Sequence, residues 1–131
     1  MDSKLRQLSE RERGLLEKLL SADFPGRDEL RTQISSLTAE EIGEDGTLGL
    51  HCDSGSPSPS KYLLAMEGWY KDADGMTISV MLHLNNEGFM NMLEILKYGS
   101  ASTIDPPTAD GLVLPLPEEG GERRREGEVN Q

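Results

Sequence analysis

Three stretches of the chain hold residues whose types could do chemistry. His51, Cys52 and Asp53 are contiguous, and with His83 they supply imidazole, thiolate and carboxylate, the donors of a transition-metal site. They sit in an extended-looking run, where neighbouring side chains point to opposite faces, so His51 and Cys52 cannot share one ion without a bulge. The serines between Asp53 and Ser60 lie close in sequence to His51 and Asp53, which together name the parts of a hydrolytic triad. No Gly-x-Ser-x-Gly elbow surrounds any of these serines, and nothing else presents one as a nucleophile. Glu40-Glu41, Asp72 with Asp74, and Glu67 are carboxylates of the kind acid–base catalysis uses, but in turns and on open strand faces such groups are ordinarily solvated charge. Phosphate-cradling glycine loops and dinucleotide fingerprints are not found. These residues lean away from an enzyme without excluding one, and they call for no catalytic residue, no metal and no cofactor.

The elements that must position these residues are legible from periodicity. Ser9-Glu10-Arg11-Glu12 is a capping box, so a helix starts near Glu10, and Leu15, Leu16, Leu19 and Leu20 gather on one stripe of it. Phe24-Pro25-Gly26 ends that helix, and a second, short one is expected from Arg27 to Ser35 with Leu30 and Ile34 four apart. From Leu37 the period changes to that of strands: Leu37 to Ile42, then Leu48, Leu50 and Cys52 on one face of another. Asp53 to Ser60, with its serines and prolines, is a loop. Lys61 to Lys71 and Met76 to Leu84 read as a hairpin through Asp72-Ala73-Asp74-Gly75, with Met76, Ile78, Val80, Leu82 and Leu84 buried and Thr77, Ser79, Met81 and His83 facing the other way. Asn85-Asn86-Glu87-Gly88 leads to a further strand over Phe89 to Tyr98, although Met90, Leu93 and Leu96 would also fit a helical face. Only Leu112 to Leu114 could add a short edge strand after that.

The expected architecture is α+β: two N-terminal helices packed on one face of an antiparallel meander of about four to five strands. A chain of 131 residues suits one domain, read as residues 1–117, while residues 118–131 have one aliphatic side chain, Val129, and read as a disordered tail of mixed acidic and basic charge. The net charge is −11 and its placement is uneven. Residues 1–34 carry seven basic and seven acidic side chains, whereas residues 35–117 carry three basic and twelve acidic. Nucleic acid and anionic membranes are therefore unfavourable partners, and a basic protein is compatible. One cysteine and no bare apolar leader point to the cytoplasm.

Leu8-Ser9-Glu10-Arg11-Glu12, Asp23-Phe24-Pro25-Gly26-Arg27-Asp28-Glu29-Leu30, Glu67-Gly68-Trp69-Tyr70-Lys71-Asp72-Ala73-Asp74-Gly75, Leu82-His83-Leu84 and Leu93-Glu94-Ile95 resemble an uncharacterised bacterial domain family of unknown function, frequent in actinobacteria. The resemblance spans roughly residues 8–98. Other members carry a Cys-Gly-Cys-Pro-Ser-like loop where this chain has Ser54-Gly55-Ser56-Pro57-Ser58. The resemblance implies the fold and no activity.

What remains is a surface. An open sheet face with Trp69, Tyr70, Tyr62, Met81 and His83, rimmed by Asp72 and Asp74, would suit protein contact, because aromatic and methionine side chains are enriched where partners bury them. The leading expectation is a small acidic interaction module of the inhibitor or immunity kind, meeting a basic protein. The alternative is a small-molecule-binding domain, or a weak enzyme, with a pocket between the second helix, the Ser-Pro loop and the sheet.

Overall fold

A computed structural model describes residues 5–43, 45–60, 62–99 and 103–115. The tail expected at residues 118–131 lies outside them. Helix α1 runs Glu10–Leu19 and α2 runs Arg27–Gln33, followed by a 3₁₀ turn Ile34–Ser36. Five strands follow: β1 Leu37–Glu41, β2 Leu48–Cys52, β3 Leu64–Lys71, β4 Thr77–Leu84 and β5 Met90–Lys97.

The capping box forms as its spacing requires. Ser9 Oγ accepts from the Glu12 amide at 3.1 Å and Glu12 Oε1 accepts from the Ser9 amide at 2.8 Å. Glu12 is buried and also takes a two-pronged contact from Arg6, at 2.8 and 2.9 Å. Arg6 reaches it because its own backbone exchanges two hydrogen bonds with Ala39, which extends the edge of the sheet beyond β1.

All strands are antiparallel and the order across the sheet is β1-β2-β5-β4-β3. The meander is therefore confined to β3-β4-β5, and the β1-β2 hairpin joins it on the far side, at β5. Sequence periodicity sees which residues alternate but carries no information on which strand lies next to which, so this docking was not foreseen. The far edge at β3 is blunted by a single bridge, Trp69 with Val113, where a short edge strand was expected.

Register explains the ambiguous strand. Leu84 pairs with Met90 but His83 pairs with Met92, so β5 has a bulge at Asn91. The bulge places Met90 and Leu93, three apart, in the same buried cluster, and that is why β5 carries a helix-like spacing. The cluster unites Leu15, Leu16, Leu19 and Leu20 of α1 and Leu30 of α2 with Ile78, Val80 and Leu82, which share one face of β4. Two expectations along β4 fail. Met76 is 41% exposed, because it belongs to the turn, and Ser79 is fully buried. Ser79 is flanked by Trp69 on β3 and Leu96 on β5, and its hydroxyl meets that of Tyr98 at 3.0 Å.

The loop after β2 is held by Gln33, which is fully buried at the end of α2. Its Nε2 donates to Ser56 O at 2.8 Å and Gly88 O at 3.0 Å, and its Oε1 accepts from the Met90 amide at 2.9 Å. Gly88 also receives the Ser58 amide at 2.9 Å. Its φ is +91°, and a Cβ there would stand 2.5 Å from Ser58 O, so both conformation and space demand glycine.

Candidate functional site

On the face of β4 opposite Ile78, Val80 and Leu82 lie Thr77, Ser79, Met81 and His83. Cross-strand pairing fixes what stands beside them. Trp69 and Leu96 flank Ser79, Glu67 and Glu94 flank Met81, and Met92 is next to His83. Gly49 then links Met92 to Glu40 on β1. The result is a band of Trp69, Met81, Met92 and Leu96 interleaved with carboxylates. Leu96 and Tyr98 are 42% and 47% exposed, while Trp69, Met81 and Met92 are half-buried among their neighbours.

His83 Nε2 lies 2.9 Å from Glu94 Oε1, and His51 Nε2 lies 3.6 Å from Glu40 Oε1. Both imidazoles thus have carboxylate partners on this face. Toward β1 the face opens into a broad depression of about 620 Å³, whose polar wall includes Glu40, His51, Asp53 and Glu87. Cys52 turns away from His51, as strand alternation requires. Its thiol sits 2.9 Å from Ser54 O and 3.4 Å from Ser36 Oγ. Among the described residues no group of three His, Cys, Asp or Glu is placed to hold a metal ion.

The seven residues singled out from the sequence divide among several places. Trp69, Met81 and His83 share the face of β3 and β4 opposite Ile78, Val80 and Leu82. Tyr70 is buried in the core cluster, because it pairs with Ile78 on the other face, and its hydroxyl donates to Asp105 O at 2.9 Å. Burial, with the Asp72 carboxylate nearby, pushes the Tyr70 hydroxyl up to about 12. Asp72 is 4% exposed and belongs with Tyr70. Lys97 Nζ reaches it at 2.9 Å, and the amides of Ala73, Ile104 and Asp105 all donate to it. Burial pushes this carboxyl up, but the Lys97 bond and the three amides outweigh it and hold it well below the usual carboxylate range. Asp74 joins from the turn, 2.7 Å from the same Nζ, and that bond lowers it too. Asp72 therefore ties the segment after β5 to the β3-β4 turn, a structural use of the charge. Tyr62, 78% exposed, precedes β3 and stands at a different feature altogether.

That feature is a cleft of about 420 Å³. It is lined by Phe24, Pro25 and Leu30 from the start of α2, by Leu64, Ala65 and Leu84 from the sheet, and by the hydroxyl-bearing residues Ser58, Ser60 and Tyr62. Gly26, at φ +90°, lets the chain enter α2 against Ser58. Sequence reasoning placed a pocket between α2, the Ser-Pro loop and the sheet, and of its lining residues it singled out only Tyr62, which it assigned to the sheet face. It also missed Gln33, Lys97 and the β5 contribution of Met92, Glu94, Leu96 and Tyr98. A lone basic residue ending a strand pattern, Lys97, was the one available hint.

No curated protein and no solved structure matches the chain. A family profile described as a domain of unknown function, DUF6984, matches residues 5–107. With that match covering most of its length and nearly all of the sheet and both helices, the chain belongs to the DUF6984 family of domains of unknown function.

Proposed function

We propose that this chain is a non-enzymatic interaction module that presents the open face of its sheet to a basic protein. In this reading α1, α2 and the segment after β5 cover one face of the sheet, and the other is left for a partner. The observation that carries it is the band of Trp69, Met81, Met92 and Leu96 set among Glu67, Glu94 and Glu40. Apolar and aromatic groups supply buried area, the tryptophan face accepts a cation, and the carboxylates give orientation and encounter rate. The depression with Glu40, Asp53 and Glu87 continues the same acidic character. Three carboxylates elsewhere are engaged in the fold: Glu12 with Arg6, and Asp72 and Asp74 with Lys97. Nucleic acid and anionic membranes are disfavoured by the charge, among the described residues no helix is long and apolar enough to cross a membrane, and a reducing cytoplasm suits the single thiol.

The test is a backbone and methyl NMR titration with a short lysine- and arginine-rich peptide carrying two leucines. Saturable shifts at Trp69, Met81, Met92 and Leu96 are expected. Shifts confined to the helices, or none, would remove the assignment of this face.

A further inference from the structure

We propose that the cleft between α2, the Ser-Pro loop and the start of β3 binds a small, neutral, largely apolar molecule that carries a hydrogen-bond acceptor, of the ketone, ester or amide class. The site is separate from the sheet face. Leu30 and Leu84, which line the cleft, belong to the core cluster, whereas the partner face is built on Met81 and His83.

Four observations converge. The volume, about 420 Å³, is that of small-molecule pockets and not of a packing defect. Of the nine described residues that line it six are apolar and none is charged, in a chain where 28% of residues are. Among the described residues a charged ligand would shed its hydration there without meeting a counter-ion, and these walls favour a neutral one. The polar groups present are donors with unspent capacity. Ser58 Oγ accepts from the Ser60 amide at 3.2 Å and Ser60 Oγ from the Tyr62 amide at 3.1 Å, which leaves both O–H protons without an acceptor among the described residues. Ser58 is 7% exposed and lines the cleft, so its hydroxyl has little access to water. A buried donor at the wall of an apolar space asks for an acceptor on an otherwise apolar body.

The walls are also pinned in advance. Gln33 fixes Ser56 and the Gly88 turn, Gly88 fixes Ser58, and Gly26 packs against Ser58 from the other side. A preformed cleft spares a ligand the cost of ordering it. Tyr62 and Leu64, at 78% and 43% exposure, stand at the mouth.

The experiment is a protein-observed NMR titration of the full chain with three neutral probes, 4-phenylbutan-2-one, its ester analogue methyl 3-phenylpropanoate and the corresponding amide, against 3-phenylpropanoate as the charged control. Saturable shifts are expected at Phe24, Leu30, Ser58 to Ala65 and Leu84 and not at Trp69 or Met81, with the carboxylate at least tenfold weaker. Leu64→Arg should abolish probe binding at an unchanged fold, and Ser60→Ala should weaken it several-fold while keeping the unfolding midpoint. If no neutral probe saturates at these residues, if the carboxylate binds as well, or if sedimentation shows a second copy filling the cleft at working concentration, the proposal fails. Because the probes report on residues away from the sheet face, such a failure leaves the interaction reading to be judged on its own titration.

Discussion

Replacing Gln33 with Glu changes one group of a buried side chain and should turn a pH-indifferent clamp into a pH-sensitive weakness. One carboxylate oxygen can still accept from the Met90 amide, now at 2.9 Å. The other stands where Nε2 donated to Ser56 O and Gly88 O, at 2.8 and 3.0 Å, and so faces two acceptors. In the protonated form it can donate to one of them, and the loss is a single hydrogen bond, about 1 kcal/mol. In the ionised form a buried charge meets two carbonyl oxygens, and the cost rises to at least about 3 kcal/mol. The folded state therefore favours the protonated acid and raises its pKa above the unfolded value of about 4.3. Between those two values the folded state binds more protons than the unfolded state, so the variant loses stability as pH rises. Urea unfolding followed by the fluorescence of Trp69, the chain's only tryptophan, at pH 4 and pH 7 and referenced to the unsubstituted protein, reads this directly. A difference that is the same at both pH values, or below about 0.5 kcal/mol at pH 7, would refute the assignment of Gln33 as the clamp.

Three further outcomes follow from the same structure. The hydrogen bonds from Arg6 and the amide of Ser9 hold the Glu12 carboxyl down to about 2, so its contribution is present above the unfolded pKa and lost as pH falls from about 4.5 to about 2. Glu12→Gln should cost about 1 to 2 kcal/mol at pH 7, after discounting for the partly exposed Arg6, and converge with the parent protein near pH 2 by the same unfolding assay. Along β4, Val80→Asp should cost at least about 3 kcal/mol and Ser79→Asp about 1 to 3, whereas Met81→Asp should stay near 1; equal damage at all three in denaturant titrations would contradict the assigned faces. Gly88→Ala must adopt φ +91° and crowd Ser58 O, so a loss of about 2 kcal/mol or more is expected, and a neutral result would show that the turn can re-form elsewhere.

Much of the fold could be read before the structure, because its signals are local. The capping box of α1 and the Asp72–Gly75 and Asn85–Gly88 turns are each decided within ten residues and form as read, and β4 forms with Ile78, Val80, Leu82 and Leu84 buried as its alternation implies. What was not legible depends on partners distant in sequence. The docking of β1-β2 onto β5, the burial of Ser79 between Trp69 and Leu96, and the Asp72–Lys97 pair all arise where strands meet. Asp72 and Asp74 looked like free rim charge because a turn sequence does not reveal that a lysine on the third strand ends beneath it. Tyr70 looked available beside Trp69, yet adjacent strand positions face opposite ways, and only the register with Ile78 and Ser79 says which of the two is in the core.

The central claim is that the acidic, aromatic face of the sheet is where a basic partner binds. The most direct measurement is the affinity of the lysine- and arginine-rich peptide, followed through Trp69 fluorescence at 50 and 300 mM salt, for the unsubstituted chain, a Glu67→Lys/Glu94→Lys double variant on the face, and a Glu17→Lys/Glu29→Lys double variant on the helices. Both variants change net charge equally, so only position differs. The expected result is a loss of at least tenfold for the face variant, little change for the helix variant, and a marked weakening with salt for the unsubstituted chain. Equal losses in the two variants, or binding indifferent to salt and to both, would contradict it.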